Sequence, residues 1–169
     1  TISGGWYNTA SGEHSTIAGG NFNTATNLQA AVGGGWYNTA SGDNSTVPGG
    51  NGNRAGGDYS LAAGRRANAS HDGTFVWADA TDADFQSSAA NEFAVRAGGG
   101  VRFVTSGAGA TLDGNLRVTG DYLQLPTITG SEPPAADCDE SSEAGRMVVR
   151  TDSAINLYIC LGVAGWAGK

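Results

Sequence analysis

GGWYNTASGEHSTIAG at 4–19 returns as GGWYNTASGDNSTVPG at 34–49, and the stretch between them, GGNFNTATNLQAAVGG at 19–34, keeps the same skeleton. The period is therefore fifteen residues, carried by a glycine column (Gly4, Gly19, Gly34, Gly49, Gly64) and an asparagine column (Asn8, Asn23, Asn38, Asn53, Asn68). A chain that repeats itself every fifteen residues stacks one small unit on the next, so each unit contacts chiefly its neighbours. Glycine at this density excludes a helix. What remains is a coil of two short strands, such as Tyr7-Asn8-Thr9-Ala10 and Ser15-Thr16-Ile17-Ala18, with glycines at the positive-φ corners.

Alternation along each strand sorts the faces. The inward columns are Asn8/Asn23/Asn38/Asn53, Ala10/Ala25/Ala40/Ala55, Ser15/Ala30/Ser45/Ser60 and Ile17/Val32/Val47/Ala62. Coils about 4.8 Å apart let each asparagine amide bond to those above and below, so Asn8, Asn23, Asn38, Asn53 and Asn68 read as a structural ladder. The same stacking aligns Tyr7, Phe22 and Tyr37 and breaks that aromatic column at Gly52. With 28 glycines and 39% hydrophobic residues the interior is shallow, which leaves much of the stabilisation to partner chains. The expected fold is all-β: a β-solenoid of fifteen-residue coils over 1–70, a β-strand connector over 71–130 and a small β module over 131–169.

The units TASGEHSTIAGG, TASGDNSTVPGG and AGGDYSLAAG resemble the head repeats of trimeric autotransporter adhesins, the YadA-like or haemagglutinin-repeat family, over residues 1–66. That resemblance implies a left-handed parallel β-roll, three chains around one axis, and a secreted protein displayed outside a bacterial cell. The family's units are usually fourteen residues long and these are fifteen.

Past residue 70 the style changes. Strands are predicted at 74–78, 92–97, 101–105 and 115–119, with Gly98-Gly99-Gly100 as a hairpin turn between the second and third. ATLDGNLRVTG at 110–120 resembles stretches near the distal ends of bacteriophage tail fibres, which implies trimers of interleaved strands. Two further strands are predicted at 146–150 and 156–160, and GRMVVRTDSAINLYICLGVAGW resembles a β module found at the ends of fibre and surface proteins. Cys138 and Cys160 are too few and too far apart for a zinc site with His14 and His71, and a single disulfide in an oxidising compartment is the simpler reading. Closing that loop is worth roughly 3 kcal/mol in the chain-entropy account.

A net charge of −7 with only nine Lys and Arg speaks against nucleic acid. No apolar run is long enough to span a membrane, and the chain opens at Thr1 without a signal-peptide pattern, as a mature secreted chain or an excised fragment would. GGNGNRAGGD at 49–58 resembles calcium-binding nonapeptides, yet the position that needs aspartate is Arg54. Asp79, Asp82 and Asp84, with Asp72 and Glu92 nearby, form the densest acidic cluster before the tail, a place where a hard cation or plain solvated charge is expected. Neither histidine stands in a legible nucleophile pattern, so no catalytic residue, metal or cofactor is assigned. Thr9/Thr24/Thr39 and Thr16/Thr46 form outward rows of the kind that bind ice, interrupted by Arg54, Ala31 and Leu61.

The expected function is a non-enzymatic, secreted, homotrimeric fibre or adhesive subunit. Its open N-terminal coil, 1–4, would dock head to tail on 145–168 of the next subunit. A phage tail-fibre tip that binds a cell-surface glycan and an ice-binding solenoid are the alternatives.

Overall fold

A computed structural model of the chain describes residues 1–106 and 109–119 together with the strand segments 127–128, 147–150, 156–160 and 166–168. The chain forms two compact units, Thr1–Val104 and Thr105–Lys169. Among the described residues there is no helix, hence none long and apolar enough to cross a membrane.

The first unit is a β-solenoid of about six coils. Its strands are β1 (Thr9–Ala10), β2 (Thr16–Ile17), β3 (Thr24–Ala25), β4 (Ala31–Val32), β5 (Thr39–Ala40), β6 (Thr46–Val47), β7 (Gly50–Asn51), β8 (Arg54–Ala55), β9 (Leu61–Arg65), β10 (Ala67–Ala69), β11 (Phe75–Ala78), β12 (Phe85–Gln86) and β13 (Phe93–Arg96). They stack as two parallel sheets, a six-stranded one in the order β1-β3-β5-β8-β10-β12 and a seven-stranded one along β13-β11-β9-β6-β4-β2 with β7 beside β9. The fifteen-residue register holds where it was read: Thr9 pairs with Thr24, Thr24 with Thr39 and Thr39 with Arg54. All four inward columns are buried from the second coil on, with Ile17, Val32, Val47 and Ala62 forming the apolar row.

The asparagine column works differently from a side-chain ladder. Each Oδ1 accepts the backbone N–H of the asparagine in the next coil, Asn23 to Asn8 at 2.9 Å, Asn38 to Asn23 at 3.0 Å and Asn53 to Asn38 at 3.0 Å. Each Nδ2 donates to two glycine carbonyls, Asn38 to Gly34 and to Gly50 at 2.9 Å each. The carboxamide thus bridges backbone to backbone, and the Gly50 carbonyl is shared with the Trp36 N–H at 3.0 Å. Only Asn53 also donates to a neighbouring amide, Asn38 Oδ1, at 3.1 Å.

Asn68 does not belong to this column. The register shortens to fourteen after β8, so Asn68 pairs with Arg54, and Ala67 takes the place above Asn53, donating its N–H to Asn53 Oδ1 at 2.9 Å. One residue is lost where Ala62-Ala63-Gly64 replaces Val47-Pro48-Gly49-Gly50. Gly64 consequently pairs with Gly50 and leaves the column of Gly49.

Glycine is required at the first corner by space as well as angle. At Gly35, φ is +89°, and a Cβ would lie 2.2 Å from the Gly50 carbonyl oxygen. Further positive-φ positions, however, are filled by side-chain-bearing residues: Tyr7, Phe22, Tyr37 and Arg66 at one corner and His14, Gln29, Asn44, Tyr59 and Asn91 at the other, all with φ between 53° and 60°. That conformation costs roughly 1–2 kcal/mol per residue. Stacking of Tyr7 on Phe22 (4.9 Å) and Phe22 on Tyr37 (4.7 Å) offsets part of it at the aromatic corner.

The coil stack also runs past residue 70. Phe75 and its strand pair in parallel with Leu61 below and, eighteen residues on, with Phe93 above. The segments predicted at 74–78 and 92–97 are strands, but they are solenoid strands. The glycines at 98–100 make a turn closed by the Gly100 N–H on the Ala97 carbonyl at 2.8 Å, and no hairpin follows. Residues 101–105 and 115–119 pair with no strand among the described residues.

In the second unit β14 (Thr127–Ile128), β15 (Met147–Arg150), β16 (Asn156–Cys160) and β17 (Trp166–Gly168) form a sheet in that order. β15 and β16 are the two antiparallel strands predicted at 146–150 and 156–160, and β17 adds a third antiparallel neighbour. Cys138 lies outside the described residues, and so does any pairing of Cys138 with Cys160.

Candidate functional site

Two surfaces of the solenoid stand out once the inward columns are assigned. The first is the outer face of the seven-stranded sheet. Thr16, Ala31, Thr46, Leu61, Phe75 and Phe93 form one outward row, and Ala18, Gly33, Pro48, Ala63, Trp77 and Val95 form the other. Neither row carries a charge over six coils. Phe75 and Phe93 stack at 4.8 Å, Phe93 is 68% exposed, and an apolar depression of about 370 Å³ opens beside Trp77 and Gly64. The outer face of the six-stranded sheet is polar instead, with Thr9, Thr24, Thr39 and Arg54 in one row.

The second surface is the corner where the chain passes from the seven-stranded sheet to the six-stranded one. Trp6, Asn21, Trp36 and Asn51 follow one another in register there, and Arg65 follows Asn51. Trp36 packs edge-on against Tyr37 at 4.6 Å with planes 75° apart, so it stays out of the Tyr7-Phe22-Tyr37 stack and remains half exposed. Above it, a cleft of about 400 Å³ is lined by Trp36, Asn51, Gly52, Arg65, Arg66, Asp82 and Asp84.

The acidic cluster is resolved into ion pairs. Arg65 meets Asp82 at 2.9 Å, Arg66 meets Asp82 at 3.2 Å and Asp84 at 2.8 Å, and Arg96 meets Asp79 at 3.1 Å. Guanidinium groups stand where a cation was considered, and no group of three or more metal-ligating side chains occurs among the described residues. The Gly98 N–H, then the Thr81 hydroxyl and N–H, and finally Arg96 hold the Asp79 carboxyl well below the usual range. Arg66 lowers Asp84, and Asp84 with Asp82 raises Arg66. The neighbouring acids are engaged elsewhere: Asp72 accepts the Asp58 N–H at 2.9 Å, and Glu92 accepts the Ser88 N–H, which lowers its carboxyl. In the nonapeptide-like segment Asn53 belongs to the inward column, and Asp58 accepts the Asp43 N–H at 2.8 Å.

One contact escaped the sequence reading. Ser87 Oγ lies 2.8 Å from His71 Nδ1, the pairing that can activate a nucleophile. Ser87 is only 3% exposed and its Oγ also accepts the Ser70 N–H at 3.1 Å, so no substrate reaches it. The contact fastens the sixth coil to the fifth. His14, at its corner, is exposed beside Glu13.

No family model and no curated protein matches the chain.

Proposed function

We propose that the chain is a structural and adhesive subunit of an extracellular homotrimeric fibre. One observation carries the reading: the outer face of the seven-stranded sheet is uncharged along all six coils, while the outer face of the six-stranded sheet is polar and carries Arg54. Exposed apolar surface of that extent marks a face that meets another protein. A straight, regular face fits a second copy of itself, and a thin Ala/Ser/Val interior gains stability from such a contact. Three-fold symmetry and display outside the cell rest on the resemblance of the repeats to adhesin heads. Stacking of subunits end to end is part of the proposal, since the parallel ladders of both sheets are of a kind that further coils can continue.

Light scattering at micromolar concentration should return three times the 17.0 kDa chain mass. Leu61→Lys together with Phe75→Lys should reduce it to one chain. A wild-type mass of one chain overturns the reading.

Ice binding is the second reading, favoured by one arrangement. Thr9 and Ser11, Thr24 and Thr26, and Thr39 and Ser41 stand as outward pairs on successive strands of the six-stranded sheet. Thermal hysteresis in dilute solution is the measurement, and its absence removes this reading.

A further inference from the structure

We infer that the cleft above Trp36 is a binding site for a neutral, extended oligosaccharide. The inference deepens the adhesive half of the function proposed above and is independent of the oligomeric half. A pyranose ring has an apolar C–H face and a rim of hydroxyls that both donate and accept, so its site needs a flat aromatic surface beside fixed planar polar groups. Trp36 supplies the first. Its indole is 49% exposed and is held in place by the edge-on contact with Tyr37. Small residues follow it in the stack, Asn51 in its own column and Gly52 in that of Tyr37, and this leaves the cleft open.

The second requirement is met by Arg65, Arg66, Asp82 and Asp84. Asp82 is gripped by both arginines and Asp84 by Arg66 Nε, so the four side chains are oriented before any ligand arrives. Arg66 Nη2 and Asp84 Oδ2 make no hydrogen bond among the described residues, which leaves one donor and one acceptor for neighbouring hydroxyls. Two guanidinium and two carboxylate groups sum to zero charge, and this selects a neutral sugar over a uronate or sulfated one. The cleft, about 400 Å³, falls in the range of small-ligand sites.

The length of the ligand follows from Trp6. It occupies the same column two coils below Trp36, about 10 Å away at the spacing of parallel strands, and is 74% exposed. A ligand that covers Trp36 and continues along the corner reaches Trp6, so affinity rises with chain length until both indoles are covered.

The test titrates the full chain with neutral β-linked gluco- and galacto-oligosaccharides of increasing length, from monosaccharide to hexasaccharide, and with an oligogalacturonate as the charged counterpart. Tryptophan fluorescence and calorimetry are the readouts. A neutral series should bind, with Trp36→Ala weakening it roughly ten-fold or more and Trp36→Tyr retaining most of the affinity. Asp82→Asn with Asp84→Asn should weaken it as well, Trp77→Ala should not, and Trp6→Ala should weaken only the longer members. Failure of every neutral sugar to bind at millimolar concentration overturns the inference, as does binding that survives Trp36→Ala in a variant with unchanged melting. Binding of the oligogalacturonate alone overturns the assignment of a neutral ligand. Light scattering on the same samples separates the two proposals: a monomer that binds sugar removes the homotrimer and keeps the site, whereas a trimer that binds none does the reverse.

Discussion

Coils one to four and coils five and six of the solenoid solve one problem with different chemistry. In the first four, each layer is tied to the next by a buried carboxamide that imitates backbone, and the fifteen-residue register never slips between β1 and β8. In the last two the column runs out at Ala67, the register moves to fourteen and then eighteen, and Arg65, Arg66 and Arg96 reach across the added loop to Asp79, Asp82 and Asp84. A carboxamide column holds each coil by backbone groups of the next, and it ends where Ala67 supplies the N–H but no carboxamide to carry it on. Ion pairs on long side chains span an irregular loop, at the cost of dependence on pH and salt.

The comparison is broken most directly at Asn38. Asn38→Leu should destabilise by about 3 kcal/mol, because it takes the acceptor from the buried Asn53 N–H and removes the side-chain donor from the Gly34 and Gly50 carbonyls, of which Gly50 keeps only the Trp36 N–H. Chemical denaturation measures the loss. A change below about 1 kcal/mol would mean that the column is ornamental.

Arg96 is the counterpart in the upper coils. It donates to Asp79, to the Ala83 carbonyl at 2.8 Å and to the Thr81 carbonyl at 3.1 Å, and lies 5.4 Å from the centre of the Phe85 ring. Arg96→Ala should loosen the sixth coil by about 2 kcal/mol and leave the first four coils as protected in hydrogen exchange as before. Equal loss of protection along the whole stack would show that the two regions melt as one.

Acid should divide them as well. Asp79, Asp84 and Glu92 have folded-state values below the ordinary carboxylate range, so their contribution is complete above about pH 5 and is lost as pH falls through those lower values. Pepsin at low pH should therefore cut first near Phe85 and Phe93. Early cutting at Phe22 instead would place the acid-sensitive element in the regular coils.

The smallest effect is expected at the outward neighbour of Asn38. Thr39→Ala touches neither the carboxamide column nor an ion pair and should stay within about 0.5 kcal/mol of wild type. A melting shift equal to that of Asn38→Leu would mean the two faces of the strand are assigned the wrong way round.

Much of the regular half was legible in the letters, since identical residues at a fixed spacing dictate which side chains share a layer. The same habit misplaced Asn68, which keeps the fifteen-residue spacing after the backbone has dropped one residue at Gly64. The strands at Phe75–Ala78 and Phe93–Arg96 were recognised by composition but not by partner, because an eighteen-residue coil hides the period that would have paired them. The cleft above Trp36 was invisible for a related reason. Arg66 and Asp84 are eighteen residues apart in sequence, and only the length of the intervening loop brings them together. Aromatic residues at positive φ were also unexpected, since steric preference alone would have reserved those corners for glycine.

The parallel register has a mechanical side. Hydrogen bonds between coils lie along the axis of the stack, so a pull from end to end puts the whole force on every layer at once and the layers give way one by one. Each regular coil that gives way releases fifteen residues, about 50 Å of extended chain, while the last coil releases eighteen, about 60 Å. A single molecule stretched along its axis therefore lengthens in nearly equal steps and absorbs work at each one.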